Sequence, residues 1–120
     1  MASGKHSRDL TNTVLEAIRY RRYGGGNENP ALGKALLQVD EILLPWARSE
    51  LADGFDDQPA DVENLVADAG VKAIVEFHKF AGTTGGEFFE WVRSILAQLI
   101  AGVKRLREAL RNGGLRHVTS

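Results

Sequence analysis

Apolar residues recur along this chain at spacings of three and four, in four stretches separated by glycine, proline and acidic residues. In residues 8–23 the apolar positions are Leu10, Val14, Leu15 and Ile18, with Arg19, Arg21 and Arg22 on the outside. One face of a helix repeats in this way, so the spacing predicts a first helix there. The run "GGGNENP" (24–30) breaks it. Asn29 and Pro30 then form a start signal, a capping side chain followed by proline at the first helical position. A second helix is expected to about residue 52. Its inner side is Leu32, Leu36, Leu37, Val39, Ile42, Leu43, Leu44, Trp46 and Leu51. Pro45 lies within that run, where a missing amide and a ring clash predict a kink or a break.

The acidic connector "DGFDDQP" (53–59) leads to a third helix, expected from Pro59 to about Phe80 on the stripe Val62, Leu65, Val66, Ala69, Ala73, Ile74 and Phe77. Gly70, in its middle, costs about 1 kcal/mol relative to alanine and is read as a close helix–helix contact. The fourth helix has the clearest start. "TGGE" (84–87) is a capping box, in which the Thr84 hydroxyl takes one orphan amide and Glu87 reaches back to the cap. Phe88, Trp91, Val92, Ile95, Leu96, Leu99, Val103, Leu106 and Leu110 follow at helical spacing, and "NGG" (112–114) ends the pattern. No strand pattern and no internal repeat is present. The expected fold is all-α, a compact bundle of about four helices. Residues 1–29 read as an N-terminal helix and glycine-rich linker, 30–112 as the helical domain, and 113–120 as a tail or the start of a linker.

Composition narrows the function classes. The 120 residues include no cysteine, which excludes a disulfide scaffold and thiolate metal sites. The polar start "MASGKHSRDL" does not resemble a signal peptide, and no apolar run approaches a membrane span, so a cytoplasmic protein without membrane contact is expected. Net charge is only −1, but it is unevenly placed. Residues 31–90 carry four Lys/Arg against twelve Asp/Glu, whereas residues 91–120 carry six against Glu108 alone. That asymmetry suggests two faces with different partners, or more simply a solvated basic helix end that suits the helix dipole.

Catalytic chemistry finds little footing. His6, His78 and His117 have no partner at metal-ligand spacing, and Glu76, two residues before His78, faces elsewhere on a helix. "GTTGG" lacks the Lys-Ser/Thr and preceding strand of a phosphate loop, and Ser94 has no visible base. A non-enzymatic role without cofactor or metal is expected. The sequence does contain a glycine- and threonine-rich loop between two aromatic clusters, within "EFHKFAGTTGGEFFEW" (76–91). Phe77, Phe88 and Trp91 read as core; Phe80 and Phe89 read as more exposed.

Residues 59–110 resemble region two of the extracytoplasmic-function sigma factors, bacterial transcription initiation factors of the sigma-70 family, in the variety common in planctomycetes. Those members carry an acidic helix D-x-V-Q-E-T, a loop F-R-G-T-T-E-A-E and a helix W-L-R-x-I-L-A-N. The matching pieces are "NLVAD" (64–68), "KFAGTTGGEFFEW" (79–91) and "WVRSILAQ" (91–98). Residues 31–51 match the family's preceding helix more loosely. The resemblance implies docking of the acidic helix on the clamp coiled coil of the RNA polymerase β′ subunit. It also implies that the loop and the next helix hold the non-template strand of the promoter −10 element, with one base flipped into the loop. By position, Asp61, Asn64, Leu65 and Asp68 would face the polymerase. Lys79, Phe80, Thr83 and Thr84 would line the loop, and Arg93, Gln98, Lys104 and Arg105 would follow the strand. An anti-sigma factor is a further partner that the resemblance implies. Such a track agrees with the chemistry of single strands, which need cations for phosphates and apolar surface for unstacked bases.

The chain also departs from the family. Its Gln-Glu pair is Ala67-Asp68 here, its next large apolar residue is Gly70, the arginine of its loop is Ala81, and its later Asn and Asp are Gln98 and Gly102. No region-four counterpart follows within the 120 residues, so −35 recognition is not expected from them. These departures keep open an alternative: a diverged helical interaction module that binds polymerase or a regulator without reading DNA. A homo-oligomeric bundle is a third reading, resting on amphipathicity alone.

Overall fold

The computed structural model describes residues 2–23, 29–52 and 59–112. They form four helices: α1 (Ala2–Tyr23), α2 (Pro30–Leu51), α3 (Pro59–Val75) and α4 (Gly85–Arg111), with a short 3₁₀ turn at Phe77–Lys79 between the last two. No strand occurs among the described residues. The fold is an all-α bundle of four helices. α2 packs against all three others, α1 and α3 each pack against α4, and one core runs between them.

Each helix buries one stripe. α1 contributes Leu10, Val14 and Ala17; α2 contributes Leu32, Ala35, Leu36, Val39, Leu43, Ala47 and Leu51. α3 supplies Val62, Val66, Ala69 and Ala73, and α4 supplies Phe88, Val92, Ile95, Leu96 and Ile100. α1 thus shares one core with α2, α3 and α4. Asn29 fastens the α1–α2 junction: its Oδ1 accepts from the Leu32 amide at 3.1 Å and its Nδ2 donates to the Ala17 carbonyl at 3.0 Å. The connector residues 24–28 and 53–58 and the tail 113–120 lie outside the described residues.

Four expectations need correction. Pro45 neither breaks nor ends α2, which continues to Leu51. Pro45 and Glu41, whose carbonyl loses its helical donor, are both exposed, so the missing bond falls on the solvent side of the helix. Gly70 does not mark a tight contact, because a Cβ there would meet nothing within 4 Å. α3 ends at Val75, short of Phe80, and the chain tightens into the 3₁₀ turn. Finally, Leu15, Leu37, Ile42 and Ile74 are exposed, since they sit beside their helices' buried stripes and not on them.

The glycines of the α4 start have separate tasks. A Cβ at Gly85 would lie 2.9 Å from Leu10 Cβ and Cγ and 2.9 Å from the Thr11 backbone nitrogen. Only a hydrogen fits there, and it lets the first turn of α4 lie directly on α1. The Gly85 amide donates to Thr11 Oγ1 at 2.7 Å, which satisfies one orphan donor of the helix start from a neighbouring helix.

Candidate functional site

The loop between α3 and α4 is held from below by aromatic packing and from the side by α1. Phe77, Phe80, Phe88 and Trp91 form one cluster, with Phe80 5.2 Å from Trp91 and 5.5 Å from Phe88, centroid to centroid. The Phe80–Phe88 pair meets edge to face, the arrangement that ring quadrupoles favour. Phe80 is only 4% exposed, which overturns the expectation that its ring is available at the surface. It points into the cluster because Gly82 folds over it: a Cβ on Gly82 would lie 2.8 Å from Phe80 Cζ and from Glu87 Cβ. Phe89 is half-buried, packed against the core.

Arg21 was expected outside its helix. Instead its Nη1 donates to the carbonyls of Phe77 and Phe80 at 2.6 and 2.9 Å, and its guanidinium lies 4.7 Å from the centre of the Phe77 ring. The Phe77 carbonyl also accepts from the Phe80 amide at 3.0 Å, so one cation from α1 braces the two ends of the 3₁₀ turn where the loop begins. Nothing in the local sequence signals this contact, because its partners lie 56 and 59 residues away.

Glu87 closes the other end. Its Oε1 accepts from the amides of Thr83 and Thr84 at 2.9 and 3.1 Å and from the Thr84 hydroxyl at 3.1 Å, while the Glu87 amide donates to Thr84 Oγ1. These bonds, the Thr83 amide first, hold the Glu87 carboxyl below the usual carboxylate range. The capping box is therefore complete. It also occupies the amides of Thr83 and Thr84 and the Thr84 hydroxyl. Thr83, Thr84 and Lys79 are exposed, and the Thr83 hydroxyl and the Lys79 ammonium have no partner among the described residues.

Asp61, Asn64, Leu65 and Asp68 share one side of α3 at spacings of three and four, the two aspartates and Asn64 exposed and Leu65 half-buried. The same helix carries Val71 at 60%, Ile74 at 49% and Val75 at 66% exposure one to two turns further on. An acidic start and an apolar end thus lie along one solvent-facing helix. Val71 and Val75 fall outside the core stripe of α3, so helical periodicity does not single them out.

On α4, Gln98, Lys104 and Arg105 are exposed and Arg93 is half-buried. Arg93 is engaged locally, at 3.0 and 3.2 Å from Glu90 Oε1 and 5.6 Å from the Trp46 ring. Lys104 lies 3.8 Å from Glu50, a half-exposed pair of small energetic weight. The structure thus places Lys79, Thr83 and Thr84 at one end of α4 and Lys104 and Arg105 more than five turns along it, with Arg93 tied between them.

One further group stands out. Asp40, half-buried on α2, has an Oδ1 that is shut from solvent and has no hydrogen-bond partner, and desolvation pushes its carboxyl up to about 6. His78 is exposed on the 3₁₀ turn. Among the described residues no group of three or more His, Asp or Glu is placed to hold a metal ion, and no helix is long and apolar enough to cross a membrane. Compared with protein-family models, with curated proteins and with solved structures, the chain matches none.

Proposed function

We propose that this chain is a non-enzymatic, cytoplasmic transcription-initiation domain, a sigma region-two relative that docks on core RNA polymerase and holds the melted −10 element. The observation that carries the reading is the exposed side of α3, where Asp61, Asn64, Leu65 and Asp68 lead past Lys72 into Val71 and Val75. An acidic edge gives a cationic partner orientation and rate, and exposed apolar side chains give it area to bury. The loop and α4 stand next to that helix, as strand capture during polymerase docking requires. Lys79 and Thr83 then meet the flipped base and its phosphate, and Gln98, Lys104 and Arg105 follow the strand. Free DNA binding is expected to be weak, because so few cations face the strand.

A second reading, polymerase or regulator binding without DNA selection, is favoured by Glu87. Its carboxylate already takes the amides of Thr83 and Thr84, and it adds negative charge beside the place where a strand would lie. The two readings part on promoter opening by polymerase charged with this chain. Thr83→Ala and Lys79→Ala alter exposed side chains and leave the fold intact. Reduced opening with unchanged polymerase affinity supports DNA capture. Unchanged opening with both substitutions removes the loop from the mechanism.

A further inference from the structure

A groove of about 1120 Å³ lies where α1 and α2 flank the start of α4. Leu10, Ile42 and Phe89 give it an apolar floor, and Asp9, Glu41 and Glu90 line it with carboxylates, while among the described residues no Lys or Arg contributes to its walls. Ile42 is 55% exposed although it is a large apolar side chain. Glu90 shares its charge with Arg93 and Glu87 is tied to the loop, which leaves Asp9 and Glu41 to face an incoming cation.

The complement of this groove occurs elsewhere on the same chain. The apolar stripe of α4 continues beyond the core, so Leu106 and Leu110 remain 63% and 46% exposed, flanked by exposed Arg105 and Arg111. A basic, apolar helix end and an acidic, apolar groove match in charge and character. Within one chain they cannot meet, because they sit at opposite ends of one helix, about 22 Å apart along its axis from residue 90 to residue 105.

We propose that the groove at the start of α4 receives the basic end of α4 from a second copy of this chain. The contact is head-to-tail, so each copy offers one groove and one helix end, and the assembly either closes into a ring or extends. It is small and charge-dependent, hence weak and sensitive to salt. It also covers Arg105 and its neighbours, so a self-associated copy cannot present that part of α4 to another partner. The proposal does not depend on the functional reading above.

Sedimentation velocity of the full chain across the micromolar range, at low and at high salt, tests it. The average mass is expected to rise above the 13.1 kDa monomer with concentration and to fall back at high salt. Two charge-reversed variants, Asp9→Lys/Glu41→Lys and Arg105→Glu/Arg111→Glu, are each expected to stay monomeric at concentrations where the parent associates. Mixed one to one they should form a dimer, because the first retains the helix end and the second retains the groove. Circular dichroism and thermal melting establish that both variants fold. A parent chain that is monomeric at all concentrations, variants that associate like the parent, or a mixture that stays monomeric each overturns the proposal. If the parent stays monomeric but an unrelated basic amphipathic peptide binds it and is lost on Asp9→Lys/Glu41→Lys, the occupant is another protein and the second copy is excluded.

Discussion

Replacing Gly85 with alanine adds one methyl group at the point where α4 rests on α1. The new Cβ would stand 2.9 Å from Leu10 Cβ, Leu10 Cγ and the Thr11 nitrogen, distances that real contacts do not tolerate. Leu10 is buried and Thr11 N is backbone, so the helices must separate. Overpacking of this kind costs about 1–3 kcal/mol. Separation also stretches the 2.7 Å bond from the Gly85 amide to Thr11 Oγ1, worth about 1 kcal/mol. Against this stands the better helix propensity of alanine, at most about 1 kcal/mol and less in a first turn. The net expectation is a loss of about 2 kcal/mol, or a melting point lower by roughly 10 °C for a domain of this size. Gly86→Ala is the matched control, because its Cβ would come no closer than 4.0 Å, to Thr84 Oγ1. Urea unfolding of both variants reads the difference directly. If Gly85→Ala is as stable as Gly86→Ala, α1 does not pack on the start of α4 as described.

Gly70→Ala should be neutral to stabilising by up to about 1 kcal/mol, since the methyl meets open space and the helix gains propensity; a clear loss in denaturant would restore the close contact first inferred there. Arg21→Met keeps the stem but removes the bonds to Phe77 and Phe80, and should cost about 2 kcal/mol while raising amide exchange at residues 79–84. Asp40 binds its proton more tightly folded than unfolded, so stability should decline as pH rises from about 4 to about 6, with the penalty complete above that window. Because its side chain is only half enclosed, the penalty at neutral pH is on the order of 1 kcal/mol, and Asp40→Asn should flatten the slope. A parent whose stability does not fall across that window would show that Asp40 is solvated.

Much of the fold was legible from local rules. The Thr84–Glu87 capping box, the Asn29–Pro30 start and the stripe from Phe88 to Leu96 depend on neighbours three or four residues away, and they appear as expected. What depended on distant neighbours did not. Periodicity located the stripe on α2 but not its width, so Leu37 and Ile42 were placed inside although both face solvent. Pro45 was tolerated because its side of the helix is wet, and Gly70 was loose because no neighbour reaches it. Phe80 was taken for a surface ring because nothing local reveals that Gly82 folds over it into the aromatic cluster. Arg21 shows the same limit most sharply, as its partners follow more than fifty residues later. The loop's composition identified a candidate site and its capping box, and the structure adds that Glu87 takes the Thr83 amide as well as that of Thr84.

Whether α3 is a docking surface at all decides the rest. The most direct measurement is binding of the full chain to core RNA polymerase, with and without a fluorescent pool of single-stranded −10-like oligonucleotides, for the parent and for an Asp61→Lys/Asp68→Lys variant. The account expects the parent to bind polymerase and to retain selected sequences from the pool, and the variant to lose both while keeping its melting temperature. Polymerase binding without sequence selection would leave docking standing and remove DNA capture. No binding by the parent, or undiminished binding by the variant, would contradict the central claim.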